Sequence, residues 1–329
     1  MRTVRRYMVV VGVVLGPMLL SVGALGHGEG NSAAVRQDIT VAALQGPTGV
    51  GVAPYLSDAV TTTENANVSF EIVSDPTVMV GRLSSGEADI GMLPSNVAAQ
   101  LFNRGVPVKI GAVTLWGVLY VVGTDEAIQE WEDLRGRSVQ SIARGATPDI
   151  LLRHLLAENG VDPESDVTLD YRFAPAELAQ LVAGGEVDLA VLPEPFVTQV
   201  LSRRDDLSIV LDFQEGWAEL YDDAYPQTVV VVRDDAWEES QAAVEDALSL
   251  IQSGWQTVTD DPEGAADLVA DSPLSLPGPV VTAALPRFNA RYERASDAQP
   301  ALERYFQVLF EFEPRTVGGE VPGSEFYMR

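Results

Sequence analysis

The chain has 329 residues, 46% of them hydrophobic and 21% charged, the balance of a folded protein long enough for two ordinary domains. Its formal charge of -27 repels phosphate backbones and anionic lipid, which argues against nucleic acid as a partner. The absence of cysteine removes thiol catalysis, cysteine-bound zinc, disulfides and a lipid-modified N-terminal cysteine.

The first residues read as an export signal. Arg2, Arg5 and Arg6 precede a stretch, 7–26, that is apolar apart from Ser21, and Ala24 and Gly26 offer small-residue cleavage sites. The same length also suits an uncleaved membrane anchor. Residues 1–34 are therefore expected to be signal and lead-in, with the folded part outside the cytoplasm, in the periplasm or on the extracellular face.

A first strand is predicted over residues 38–44. It breaks at Gln45-Gly46-Pro47-Thr48-Gly49, a turn that suits either a plain strand-to-helix connection or a ligand loop, before a helix expected over 52–62. It lacks the lysine of a nucleotide-phosphate loop. A strand over 68–73 leads to Asp75-Pro76, a helix cap followed by proline at the first helical position, and a helix that Gly86 stops.

Residues 86–96 then recur 99 positions later as 185–195. Gly-Glu-Ala-Asp-Ile-Gly-Met-Leu-Pro-Ser-Asn matches Gly-Glu-Val-Asp-Leu-Ala-Val-Leu-Pro-Glu-Pro: a turn, a short apolar strand, a proline and a helix start. A unit carried twice predicts two similar α/β lobes with a ligand near the strand ends where they meet. In the first copy Ser95 is expected to cap a helix over 95–103, so that Ser95 and Asn96 offer donors at its N-terminus. In the second copy Glu194 stands in that place, either as a partner for a ligand amine or as a first-turn glutamate serving its own helix.

A strand over 108–114 ends at Thr114 and meets Trp116, which suits the core or a flat pocket wall. The first crossing between lobes is expected near 122–125. The second lobe opens with a helical turn at 131–136 and a strand at 138–142. Arg144-Gly145-Ala146-Thr147-Pro148-Asp149 follows, where Thr147 suits a cap, Pro148 the first helical position and Asp149 the first turn of a helix ending at Asn159. Small residues ahead of a helix N-terminus receive an anion or carbonyl, and Arg144 is the one strong cation among the candidate pocket loops. A strand over 167–173, a helix over 176–183 and a strand over 207–213 complete this lobe.

Residues 214–227 break all periodicity and carry Trp217, Tyr221 and Tyr225, rings that either pack on a ligand or fold back onto their own lobe. A buried strand at 228–232 returns to the first lobe. Helices are expected over 237–258, 262–270, 280–292 and 300–306, and no element from Thr316 onward. The resulting organisation is lobe 1 over 35–123, lobe 2 over 124–226, and the rest of lobe 1 with its helices over 227–329.

Little here suits catalysis. There is no Gly-x-Ser-x-Gly elbow, and histidine is confined to His27 in the lead-in and His154 inside a helix. Glu194 has no evident acidic partner in the other pocket loops, and no Asp-rich calcium loop appears. No enzyme activity, metal or cofactor is expected.

In order, the strand, glycine loop, Gly-Glu-x-Asp-Ile-Gly, Leu-Pro, Asp133-Leu134-Arg135-Gly136-Arg137-Ser138-Val139, small-residue loop and helix resemble a periplasmic solute-binding protein of an ABC importer. The phrase Leu192-Pro193-Glu194-Pro195-Phe196 is similar to the second-lobe motif of the branch that binds nitrate, sulfonates, taurine and thiamine-pyrimidine precursors. The resemblance implies a type II periplasmic binding fold, α/β, with two lobes, a cleft that closes on ligand, a membrane permease as partner and a monomeric state. It carries a site onto Gln45, Gly46, Thr48, Gly49, Ser95, Asn96, Thr114, Trp116, Arg144, Gly145, Ala146, Thr147 and Glu194. Trp217, Tyr221 and Tyr225 join on chemistry alone. The aromatic residues favour a flat, pyrimidine-like or aromatic solute. That solute is the leading expectation; the alternative is a small anion such as a sulfonate, carboxylate or nitrate, which Arg144 beside a helix N-terminus favours.

Overall fold

The computed structural model describes residues 36–274 and 276–329, so the expected export signal and lead-in lie outside the described residues. Strand β1 (Gln37–Leu44) runs into a 3-10 helix, Pro47–Tyr55, and then the short β2 (Thr61–Thr62) and β3 (Ala66–Val73). The helix expected over 52–62 is thus earlier, tighter and shorter. Pro54 cannot donate to a longer helix, and Gly49 and Gly51 allow close approach: a side chain on Gly51 would overlap Trp255. Helix α1 (Pro76–Ser85) starts as expected, with the Asp75 carboxylate accepting from the Thr77 and Val78 amides, and ends at Gly86 with φ 80°.

The first copy of the repeat forms β4 (Ile90–Pro94) and α2 (Ser95–Asn103), followed by β5 (Val108–Leu115) and β6 (Leu119–Gly123). A 3-10 turn, Trp131–Leu134, leads to β7 (Ser138–Gln140), α3 (Thr147–Glu158), β8 (Thr168–Asp170) and α4 (Pro175–Ala183). The second copy of the repeat forms β9 (Leu189–Pro193) and α5 (Phe196–Leu201), and β10 (Ser208–Asp212) follows.

The stretch expected to be irregular contains α6 (Phe213–Tyr221). Asp212 accepts from the Gln214 amide at its start, Trp217 is buried, and Asp222 in the left-handed region closes it. The chain returns through β11 (Thr228–Arg233). The single helix expected over 237–258 is two, α7 (Asp234–Glu239) and α8 (Gln241–Asp260), because Ser240 is extended and its hydroxyl accepts from Ala243. Next come α9 (Pro262–Ala270) and α10 (Gly278–Ala284). Pro286 then turns the expected helix over 280–292 into a 3-10 turn, Leu285–Arg287, and β12 (Ala290–Arg294). The last helix, α11 (Ala295–Phe312), is longer than expected and admits Pro300 near its start. Beyond Thr316 the chain forms a 3-10 turn, Ser324–Phe326, and Tyr327 bridges to Ile110.

These strands form two sheets. The first has seven, ordered β12-β5-β11-β4-β1-β3-β2, and the second five, ordered β10-β6-β9-β7-β8. In each sheet the repeated strand takes a central place: β4 lies between β1 and β11, and β9 between β7 and β6. Because β6 pairs with β9 and β10, the first crossing falls at residues 116–118, ahead of the expected 122–125. Gly117 makes this turn with φ 99°, and a Cβ there would lie 2.7 Å from the Tyr225 ring. Leu119-Tyr120-Val121-Val122 extends the apolar pattern of β5, which is why the crossing is hard to see in sequence.

One apolar core runs continuously through both lobes: Val113 of β5, Leu151 of α3, Trp217 of α6 and Tyr305 of α11 belong to it. A second core lies under the other face of the first sheet against α8, and a third behind β9 against α4 and α5.

Candidate ligand site

The first glycine loop stays at the surface. Gln45 is exposed, Gly46 has φ 89°, and Thr48 is half-buried with a free hydroxyl. Gly49 is buried because Leu274 and the Leu44 carbonyl leave no room for a side chain. Part of this loop's glycine content therefore serves packing.

Ser95 is the first residue of α2, while Pro94 takes the cap position; its hydroxyl donates to the Pro226 carbonyl (2.7 Å) and its amide to Gln227 (3.1 Å). These bonds pin the returning chain across the helix N-terminus. Asn96 is half-buried with its side chain unpaired. Gln227 in turn donates its amide to the Leu115 carbonyl (2.9 Å), which brings in the end of β5. There Thr114 is fully buried and its hydroxyl has no partner.

On the second lobe, Ser141 directly follows β7, and its buried hydroxyl also has no partner among the described residues. Ala143, with φ 52°, and Gly145, with φ 74°, coil the loop so that the Ala146 amide donates back to Ala143. The Asp149 carboxylate accepts from the Gly145 amide (2.7 Å), Arg153 (2.6 Å) and the Tyr171 hydroxyl, so its charge is spent within the loop. Thr147 is the first residue of α3, with Ala146 in the cap position, and is buried. Arg144 is exposed, with its guanidinium 5.7 Å from the centre of the Tyr171 ring, and makes no ion pair among the described residues.

The two helix starts meet at Tyr305 of α11. The residue is 1% exposed, and its hydroxyl lies near the side chains of Thr147 and Ser95. Burial pushes its phenol well above the ordinary tyrosine range. The ring stacks on Tyr225, with centroids 5.9 Å apart and planes at 16°. Tyr305 gave no sign of this in the sequence, where it looks like any other apolar-face position of the last helix.

The aromatic residues expected to wall the cleft are engaged elsewhere. Trp116 donates its indole N–H to the Arg291 carbonyl (2.9 Å) and carries the Arg291 guanidinium 4.1 Å from its ring centre. Trp217 packs among His154, Tyr221, Tyr225 and Tyr305. Tyr225 is fully buried and its hydroxyl accepts from the Val118 amide (3.2 Å). Tyr221 lies farther out, bonded to His154 and covered by Arg304.

Glu194 is buried against Arg287, with the Thr198 amide (3.1 Å) and hydroxyl (3.0 Å) also donating to it. Arg287 comes from the 3-10 turn before β12, so this ion pair ties the second lobe to the first. Beside it, the Tyr120 hydroxyl donates to the Arg287 carbonyl (2.8 Å) and Asn289 donates to the Gly117 carbonyl (3.1 Å). Sequence reading found Glu194 but not its partner, which lies 93 positions away. Nearby, burial raises the Asp212 carboxyl above the ordinary range although it accepts from the Gln214 amide. The Gln214 side-chain nitrogen and Gln227 side-chain oxygen are buried without partners. Among the described residues no group of acidic and histidine side chains is arranged to hold a metal ion.

Two α/β lobes joined by crossing strands, with hydroxyls and helix N-termini converging between them, define a solute-binding protein of the periplasmic type II fold. The family described as "ABC transporter, phosphonate, periplasmic substrate-binding protein" matches residues 51–268, well over half of the chain, and the chain belongs to it. Among solved structures, an ABC transporter protein from Parabacteroides distasonis is 27% identical, with a TM-score of 0.77 over 89% of this chain and 99% of that one. The periplasmic aliphatic sulphonate binding protein of Escherichia coli shares the fold at 16% identity, with a TM-score of 0.72 over 90% and 93% of the two chains. The periplasmic nitrate-binding protein of Synechocystis shares it at 15% identity, with a TM-score of 0.53 over 77% and 71%. No curated protein matches the chain.

The protein is the periplasmic substrate-binding component of an ABC importer, and its family is one of transport proteins rather than enzymes. Such components bind a small ligand and a membrane permease. No helix among the described residues is long and apolar enough to cross a membrane.

Proposed function

We propose that the imported solute is a small organic molecule with an oxyanion head group, a phosphonate or sulfonate, held between the N-termini of α2 and α3 by a protein acting as a monomer. The observation that carries this reading is that Ser95 and Thr147, each the first residue of its helix, lie near the same buried residue of α11, which packs on both α2 and α3. The first-turn amides of a helix have no intrahelical acceptor, and the helix dipole favours negative charge there. Two helix starts close to one point make an oxyanion receiver that needs no arginine. The buried, unpaired hydroxyls of Thr114 and Ser141 add donors for further head-group oxygens.

The family is described by phosphonate, and sulphonate and nitrate, in the names of two structural relatives, are also oxyanions. The flat solute, the leading expectation from the sequence, loses support, because Trp116, Trp217 and Tyr225 spend their faces on Arg291 and on one another.

Calorimetric titration with methylphosphonate, ethanesulfonate and cytosine tests the reading. An oxyanion binds the wild type, and Ser95→Ala and Thr147→Ala each weaken it by about tenfold or more, the worth of a charge-assisted hydrogen bond. Binding of cytosine but of neither anion, or unchanged anion affinity in both variants, contradicts it.

A further inference from the structure

Two glutamines flank the segment that carries the chain back from α6 to β11. Gln214, in the first turn of α6, accepts the Tyr225 amide on its side-chain oxygen (3.3 Å). That oxygen also lies 2.9 Å from where a Cβ on Gly117 would stand, so the Gln214 side chain reaches the crossing at 116–118. Gln227, two residues beyond Tyr225, donates its backbone amide to the Leu115 carbonyl (2.9 Å), beside Thr114. Its own carbonyl accepts from the Ser95 amide (3.1 Å). The pair therefore adjoins the α2 start and the end of β5, where the head-group donors of the proposed site lie.

The fold does not use these two side chains fully. The Gln214 nitrogen and the Gln227 oxygen are buried and have no partner among the described residues. Buried polar atoms in folded proteins are nearly always paired, so two unpaired ones side by side in the chain path call for a ligand or an ordered water. The Gln214 orientation is fixed: only its oxygen can accept the Tyr225 amide, so its NH2 is the end it presents. Asp212 and Glu215, from the same turn of α6, line a separate cavity with Glu130 and Glu132.

We propose that Gln214 and Gln227 form a second subsite that selects a solute carrying a neutral hydroxyl beside its oxyanion head group, a hydroxyalkyl phosphonate or sulfonate. A hydroxyl accepts from the Gln214 nitrogen and donates to the Gln227 oxygen, so one group answers both. A methyl in its place leaves both unpaired. An ammonium has no acceptor and leaves the Gln214 nitrogen facing another donor. This inference deepens the oxyanion reading and rests on it for the head group.

Calorimetry with ethyl-, 2-hydroxyethyl- and 2-aminoethylphosphonate and the three matching sulfonates tests it, read as affinity ratios within each protein so that a general loss cancels. Wild type should prefer the hydroxyl compound over both others by about 5- to 10-fold, the worth of one or two neutral hydrogen bonds. Gln227→Leu should bring its preference over the ethyl compound close to one. Gln214→Glu keeps an oxygen for the Tyr225 amide and replaces only the donor, so it should move the preference from hydroxyl to ammonium. Equal wild-type affinities mean that water pairs the two glutamines; they overturn the subsite and leave the oxyanion reading standing. A wild-type preference for the amino compound, or a hydroxyl preference unchanged in both variants, overturns the subsite equally. Binding of none of the six compounds contradicts the oxyanion reading itself, and the subsite with it.

Discussion

Glu194 sits with no exposed side-chain surface, and Arg287 supplies the only ion pair it makes among the described residues. Arg287→Met leaves that carboxylate buried and unpaired, with the Thr198 donors as its remaining help. Breaking a buried pair costs about 3–5 kcal/mol, and the quarter of Arg287 that remains in water places this pair at the lower end, about 3 kcal/mol. Urea unfolding should show that loss; a change below about 1 kcal/mol contradicts a tie between the lobes. Glu194 was readable as a candidate because it fills the helix start of a repeated motif. Its partner was not, because a contact between residues so far apart in the chain leaves no mark on local spacing.

His154 offers a second residue-scale test. Burial beside Trp217 and Tyr221 disfavours its charged form and lowers its pKa below the ordinary 6.5. Below 6.5 the unfolded chain takes up a proton that the folded state refuses, so this residue's contribution to stability is lost as pH falls through that value. The stability difference between pH 7.5 and 5.5 should therefore be smaller in His154→Phe than in the wild type, by up to about 1 kcal/mol. An equal or larger difference contradicts the assignment.

At the scale of elements, the crossing at Gly117 decides where one lobe ends and the other begins. Gly117→Ala forces a side chain into a left-handed turn against the Tyr225 ring and the Gln214 side chain. A loss of about 2 kcal/mol in urea unfolding is expected, combining the positive φ with the clash. A loss under 0.5 kcal/mol, on the order of an ordinary surface change, contradicts the view that this turn is sterically fixed.

Local chemistry made most elements readable. The Asp75-Pro76 start of α1, the Gly86 stop, and the Leu-Pro ends of β4 and β9 each follow from one or two residues acting on their own backbone. The errors arose where tertiary contact overrode pattern. The run 119–122 continues the apolar character of β5 yet pairs in the other sheet, and the polar, aromatic stretch 213–221 becomes helical because Trp217 finds a core to enter. Tyr305 is the deeper case. Ala298, Ala301, Leu302, Tyr305, Phe306 and Leu309 share one buried face of α11, and only its three-dimensional placement sets the tyrosine apart.

At the scale of the whole molecule, a duplicated strand-and-helix unit builds two lobes, and a helix from the end of the chain packs on α2 of one and α3 of the other, at the point proposed for the solute. The central claim is that this point receives an oxyanion. Native mass spectrometry of the protein purified gently from its own host, followed by identification of the released small molecule, tests it most directly. The account predicts one phosphonate- or sulfonate-bearing molecule per chain; a stoichiometric flat heterocycle without an oxyanion group would contradict it.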